Sequence, residues 1–223
     1  IVCLFLYFFF SKFSFEEITS YDFIKNNQIY LLELKESNLF LLSIIFLIST
    51  ILWVFPFLGF GTPVGLIGGF IFGKWIGIIL VVLGLTIGST FLYIFGNYFL
   101  KDFIKNTFLK KFQNLESKFK KSEFIYLLFY RFVGGIPWQI QCLLPILFNV
   151  KIKNYFFATL IGIVPGIFIP VSIGSGLEKI IDQNEVVPSL KDIIFSPEIY
   201  LPLLAFFLLV LLTIILKNFF FKD

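Results

Sequence analysis

Long apolar runs alternate with short wet ones along this chain. Leu39–Phe55 is almost wholly apolar and predicts a transmembrane helix that Pro56 ends or kinks. Residues 59–73, GFGTPVGLIGGFIFG, stay apolar but are broken by glycines and Pro63, and Trp75–Phe99 is again long enough to span. Residues 100–123 carry seven Lys and three acids, with Phe103, Phe108, Phe112, Leu115 and Phe119 at near-helical spacing. That pattern predicts an amphipathic helix lying on a membrane surface. The second half echoes the first. Phe124–Phe148 is apolar but interrupted by Arg131, Gly134, Gly135, Pro137, Gln139, Gln141 and Pro145. A long span is expected from about Asn154 to Ile173, residues 178–198 are wet, and Tyr200–Leu216 makes a final span. Ile1–Phe10 is too short to cross a bilayer and is expected to be the stub of a membrane helix or an interfacial segment. Residues 11–38 form a wet, partly helical stretch.

A broken apolar segment cannot cross lipid as bare backbone, because unpaired amides are costly in hydrocarbon and are tolerated only inside protein or beside a water-filled cavity. Two such segments in corresponding positions predict an all-α polytopic membrane protein, an inverted repeat with two re-entrant hairpins (59–73 and 124–148) plus transmembrane helices. A plain bundle with Gly and Pro kinks is the alternative. The expected division is an N-terminal stub and wet segment at 1–38, a membrane core at 39–180 with its basic linker at 100–123, and a loop and final helix at 181–223. Lysines orient it: the linker, Lys151, Lys153, Lys217 and Lys222 fall on the cytoplasmic side, while 178–198, with two Lys and five acids, falls outside. The two hairpins then enter from opposite faces.

Composition narrows the function. Of 223 residues 58% are hydrophobic and 14% charged, against about 25% charged in soluble domains, and mean hydropathy is +0.95. Lipid is the expected solvent, which excludes a cytosolic enzyme and a nucleic-acid binder. Histidine is absent, so Ser-His and Cys-His nucleophiles and His-ligated zinc or haem are excluded. No catalytic residue, metal or cofactor is expected. Cys3 and Cys142 lie in apolar runs, and Cys142 reads as a small apolar filler. No Asp or Glu occurs between Glu36 and Asp102 or between Glu123 and Glu178, which disfavours proton coupling and an acidic cation pore.

Gly65, Gly69, Gly73 and Gly77 recur every fourth residue, continued by Gly84 and Gly88, and predict a stripe for close helix packing. Arg131 is the only charge from Phe124 to Val150. Its guanidinium fork suits a lipid phosphate, and snorkelling to the headgroups is the competing reading. Gln139 and Gln141 are polar neighbours, although two residues apart they do not share a helix face. The linker lysines suit anionic headgroups.

These residues bring a family with them. Tyr130-Arg131-Phe132, Gly135-Ile136-Pro137, Phe157-x-x-Thr159-x-x-Gly162-x-x-Pro165-Gly166 and Gly174-Ser175-Gly176 resemble the DedA/VTT-domain superfamily, which includes the SNARE-associated Golgi proteins. In the first half Pro63, Gly68-Gly69, Phe72-Gly73, Gly77, Gly84, Gly88 and Phe95-Gly96 agree. The resemblance covers about residues 39–180 and is closer to the yeast-Tvp/TMEM-like subgroup than to DedA proper. It implies paired re-entrant hairpins and movement of lipid or lipid-phosphate between leaflets, with Arg131 and Pro137 matching the arginine and proline of the second hairpin motif. Cys142 stands where members often carry Asn, Asn97 where Arg is common, and the embedded acids of DedA transporters have no match. An ion- or proton-coupled small-solute transporter and a membrane-assembly organiser remain as alternatives. The expected partners are membrane lipids, and the expected location is a bacterial inner membrane.

Overall fold

Gly73 decides the shape of the first half. In the computed structural model, which describes residues 21–55, 59–108, 122–132, 137–183 and, with breaks, 195–211, it has φ 72° and ψ −178°. That backbone region is essentially reserved for glycine. Around it helix α2 (Gly61–Phe99) folds back on itself. Gly61 faces Leu85, and a Cβ on Gly77 would come within 2.7 Å of the Gly68 carbonyl oxygen, so residues 61–72 and 74–99 are antiparallel arms.

Helix α1 (Tyr21–Val54) precedes them and bends at Asn38. The side-chain oxygen of Asn38 accepts the Leu41 N–H at 3.2 Å, capping the apolar part of the helix where the wet segment ends. Thr50 and Val54 lie against Gly84 and Gly88, so α1 runs parallel to the second arm of α2. The turn between α1 and α2 is tied by Gly59 N–H to Trp53 O (2.8 Å) and Trp53 Nε1 to Phe60 O (3.1 Å).

After the short α3 (Lys101–Phe108) come α4 (Glu123–Phe132), α5 (Trp138–Leu143) and a 3-10 turn at Leu144–Phe148. Asn149, in the left-handed region at φ 49°, turns the chain into α6 (Ile152–Gly162) and α7 (Val164–Gln183). Glu123 bonds Asn154, and Arg131 lies against Gly162, so α4 runs beside α6 in the same direction. The Tyr130 hydroxyl reaches back to Ile140 O at 3.3 Å, joining α4 to the returning α5.

The first unit (α1 and α2) and the second (α4 to α7) meet where α7 crosses the first arm of α2. Gly69 lies so close to Val171, and Gly174 to Leu66, that a Cβ at either glycine would overlap the facing carbonyl. One buried cluster gathers Val54, Val81, Leu85, Ile163, Ile167 and Val171, and a second gathers Tyr93, Leu127, Ile146, Leu147 and Tyr155. Large apolar side chains such as Phe40, Trp75, Ile79 and Phe157 face outward. Glu33–Val54, Gly61–Phe99 and Val164–Ile181 are long and apolar enough to cross a membrane, and among the described residues there is no strand. The chain is an all-α integral membrane protein.

Several boundaries differ from expectation. Residues 61–72 form one continuous helical arm rather than a hairpin by themselves, because Pro63 sits in the first turn, where no intrahelical N–H is needed. The glycine stripe is not continuous: the reversal at Gly73 puts Gly65 and Gly69 on one arm and Gly77 on the other. The long span breaks at Ile163, whereas Pro170 is carried inside α7, and helix continues to Gln183, past the expected start of the wet loop. Of the basic linker, residues 101–108 are helical and 109–121 lie outside the described residues, as do Gly134, Gly135, most of the wet loop and the end of the last span.

A candidate anion site around Arg131

Helix α4 ends with Arg131 in its last turn, four residues after Leu127, and both face inward. Arg131 is 5% exposed. Helix α6 sets Tyr155 and Thr159 one turn apart on the facing side, and Gly162 leaves room for the arginine stem: a Cβ there would stand 2.6 Å from that of Arg131. Helix α5 sets Trp138 and Cys142 one turn apart on a third side.

The guanidinium is held by neutral groups. Nε donates to Thr159 Oγ1 (3.2 Å), Nη2 to the Tyr155 hydroxyl (2.6 Å) and Nη1 to Cys142 Sγ (3.8 Å). Its carbon lies 5.3 Å from the Trp138 ring centre and 5.1 Å from that of Tyr155. The Tyr155 hydroxyl in turn donates to Cys142 O at 3.3 Å, and Ser89 of α2, whose hydroxyl donates to Thr86 O, stands near it. Among the described residues no Asp or Glu acts on Arg131. A guanidinium has five N–H donors, and an unpaired buried cation is costly. A site built this way holds an arginine in a fixed fork and leaves its charge for an anion to neutralise.

The sequence candidates distribute unevenly. Arg131 is buried within the protein, among α4, α5 and α6. Gln141 is buried and Gln139 half-buried, on different sides of α5. Pro137 is exposed and caps the start of α5. Pro63 and Pro165 are half-buried, and Gly65 faces Pro170. Gly65, Gly69, Gly77 and Gly162 stand at close contacts, whereas Gly166 faces open space. Among the described residues no group of His, Cys, Asp and Glu has metal-binding geometry.

Tyr155, Thr159, Trp138, Cys142 and Ser89 were not expected in the site. One signal in the sequence pointed there: Arg131 is the only arginine among 18 basic residues, every other being lysine. A position that keeps a guanidinium where the rest of the chain uses ammonium has a geometric demand.

The family model for the VTT domain matches residues 55–176, which contain every member of this site. The chain is 29% identical to "Transmembrane protein 41 homolog" of Dictyostelium discoideum over 124 residues, 54% of this chain and 37% of the relative. It is 27% identical to "Transmembrane protein 41 homolog" of Caenorhabditis elegans over 119 residues, 52% of this chain and 48% of the relative. The match thus spans less than half the length of either. Both relatives are eukaryotic, so they lend no support to a bacterial inner membrane. No solved structure matches the chain.

Proposed function

This chain belongs to the VTT-domain family of the DedA/SNARE-associated superfamily, and on that premise we propose that it moves lipid or lipid-phosphate between the leaflets of its membrane. The observation that carries the reading is Arg131: a buried guanidinium held by hydroxyl, thiol and aromatic groups, with no carboxylate acting on it among the described residues. In this reading the missing counter-charge is the phosphate of a passing headgroup, while the acyl tails stay in lipid.

The proposed architecture is an inverted repeat of two re-entrant hairpins. Its supports are geometric. Residues 61–72 and α4 measure about 18 and 15 Å at ~1.5 Å per residue, too short to cross ~30 Å of hydrocarbon. Each adjoins a stretch of sequence broken by Gly and Pro on one side, and a single left-handed residue, Gly73 or Asn149, leads into the long helices of its unit. Gly61 meets Leu85, near the middle of residues 74–99, and Ile167, in the first turn of α7 and near the middle of α6 and α7 taken together, which favours a first turn reaching mid-depth. The long helices run in opposite directions, since α7 follows the first arm of α2 and that arm opposes the second. The short helices, slotted between spans, leave a broken, locally polar interior through which a headgroup passes. No chemical conversion is part of this reading.

The experiment is leaflet exchange in proteoliposomes containing tail-labelled phospholipid and an external quencher. Protein-dependent loss beyond the outer-leaflet share, without any ion gradient, is expected. Tight vesicles with folded protein and no excess loss would overturn the proposal.

A further inference from the structure

Between Thr86 and Tyr93, α2 turns a row of hydroxyls toward the second unit. Thr86 and Ser89 are wholly buried, and Thr90 and Tyr93 are nearly so. A serine or threonine inside a membrane helix ordinarily directs its hydroxyl to the carbonyl one turn back. Ser89 and Thr90 do this, donating to Thr86 O at 3.1 and 2.7 Å. Thr86 itself does not, and its Oγ1 is buried without a partner. Trp138 leaves its Nε1–H in the same condition. Its ring lies against Arg131 and also packs on the cluster that contains Val82 and Leu85, beside Thr86. Unpaired polar atoms in a low-dielectric interior destabilise the fold; the Trp138 indole belongs to the Arg131 site, and the Thr86 hydroxyl lies beside the cluster on which the Trp138 ring packs.

Resting on the reading of Arg131 as a lipid-phosphate site, we infer that this hydroxyl row and the Trp138 indole set headgroup specificity, and that the favoured headgroup is a polyol phosphate such as glycerol phosphate. A polyol hydroxyl both donates and accepts, so it satisfies the Thr86 hydroxyl and accepts from an indole N–H. An amine-bearing headgroup needs a carboxylate or an open aromatic face. Among the described residues no Asp or Glu acts on Arg131 or Tyr155, and Glu123, which acts on Tyr93 at the end of the row, already accepts from the Lys151 N–H and the Asn154 side chain. The Trp138 and Tyr155 rings already hold the guanidinium, and the Tyr155 ring is also stacked on Tyr93 at 4.4 Å. A second cation is repelled by Arg131.

The test compares tail-labelled phosphatidylglycerol, phosphatidylethanolamine and phosphatidylcholine in otherwise identical proteoliposomes. Phosphatidylglycerol is expected to move about tenfold faster than either amine lipid, the ratio worth one or two directed hydrogen bonds. Thr86→Val and Ser89→Ala are each expected to narrow that ratio by about fivefold. If Thr86→Val does not fold, Ser89→Ala and the wild-type ratio still decide. Equal rates for the three lipids overturn this inference and leave lipid movement standing. Movement of none overturns both. Uptake of free glycerol 3-phosphate into the same vesicles, without movement of phosphatidylglycerol, assigns the chemistry to a soluble ligand and overturns the lipid headgroup as occupant.

Discussion

Tyr93 and Tyr155 stack with their ring centres 4.4 Å apart and 17° between planes, and this pair ties the long helix of the first unit to the arginine site of the second. The Tyr93 hydroxyl donates to Val150 O at 2.6 Å, at the start of the segment that carries Tyr155. Tyr155 has three neighbours at once: Tyr93 on its ring, Arg131 on its hydroxyl and ring, and Cys142 O beyond. A residue so placed couples the position of α2 to that of the guanidinium.

Tyr155→Phe keeps the stack and removes the acceptor of Arg131 Nη2. The loss leaves a buried charged donor short of a partner, at a cost of about 1–3 kcal/mol. The expected outcome is a folded protein with lower thermal stability in detergent and a changed leaflet-exchange rate. Unchanged stability would mean that the 2.6 Å bond contributes nothing net.

Gly69→Ala is expected to be strongly destabilising and Gly166→Ala neutral. At Gly69 the new methyl overlaps the Val171 carbonyl, which is backbone in a packed crossing and cannot swing away, whereas at Gly166 it enters open space. Forced overpacking of this kind costs about 1–3 kcal/mol. Paired melting curves in one detergent decide it, and equal midpoints for the two variants would remove the close-packing role of Gly69.

Gly73→Ala tests a different cause. Nothing lies within 4 Å of a Cβ there, so space is not the limit, but φ 72° with ψ −178° is. An L residue held in that region is strained by about 1–3 kcal/mol. The variant should lose stability comparable to Gly69→Ala despite its empty surroundings.

Much of the fold could be read from the pattern of apolar runs and breakers, because in lipid the length of an apolar run and the position of Gly and Pro are strong constraints. The boundary at Asn38 and the breaks around Gly59 and Pro137 follow directly. Gly73 shows where the reading stops. In sequence it is one member of a four-residue repeat, and only the backbone shows that it ends one arm and starts another. The same limit hides the site. Arg131 stands out as a lone charge, yet Tyr155, Thr159 and Ser89 are ordinary residues of apolar helices and come together around it only through the parallel packing of α4 on α6 and the packing of α2 on α6.

Glu123 ties the other end of α4 to α6. Its Oε2 accepts the Lys151 N–H at 3.1 Å and the Asn154 side-chain N–H at 2.8 Å, so a carboxylate from α4 caps the start of α6. Glu123→Ala removes both bonds and is expected to speed amide hydrogen exchange in the first turn of α6. Glu123→Gln retains an acceptor oxygen and should restore most of the protection. Equal exchange in the wild type and the alanine variant would show that the Glu123 carboxylate contributes nothing to the start of α6.

Arg131→Lys separates charge from geometry. Lysine keeps the positive charge but has no fork: it cannot donate to Thr159 and Tyr155 from fixed positions, and it does not lie flat between the Trp138 and Tyr155 rings. If charge alone draws the phosphate, lysine preserves leaflet exchange. If the preset fork does, lysine behaves like alanine. The structure favours the second outcome, because two of the three nitrogens are aimed by hydroxyls and the plane is fixed by two rings. The expected result is a fall of at least about tenfold in exchange rate for both Arg131→Lys and Arg131→Ala, the loss of one charge-assisted bidentate contact. Full activity of a folded lysine variant would leave Arg131 a point charge and remove the geometric role of its neighbours.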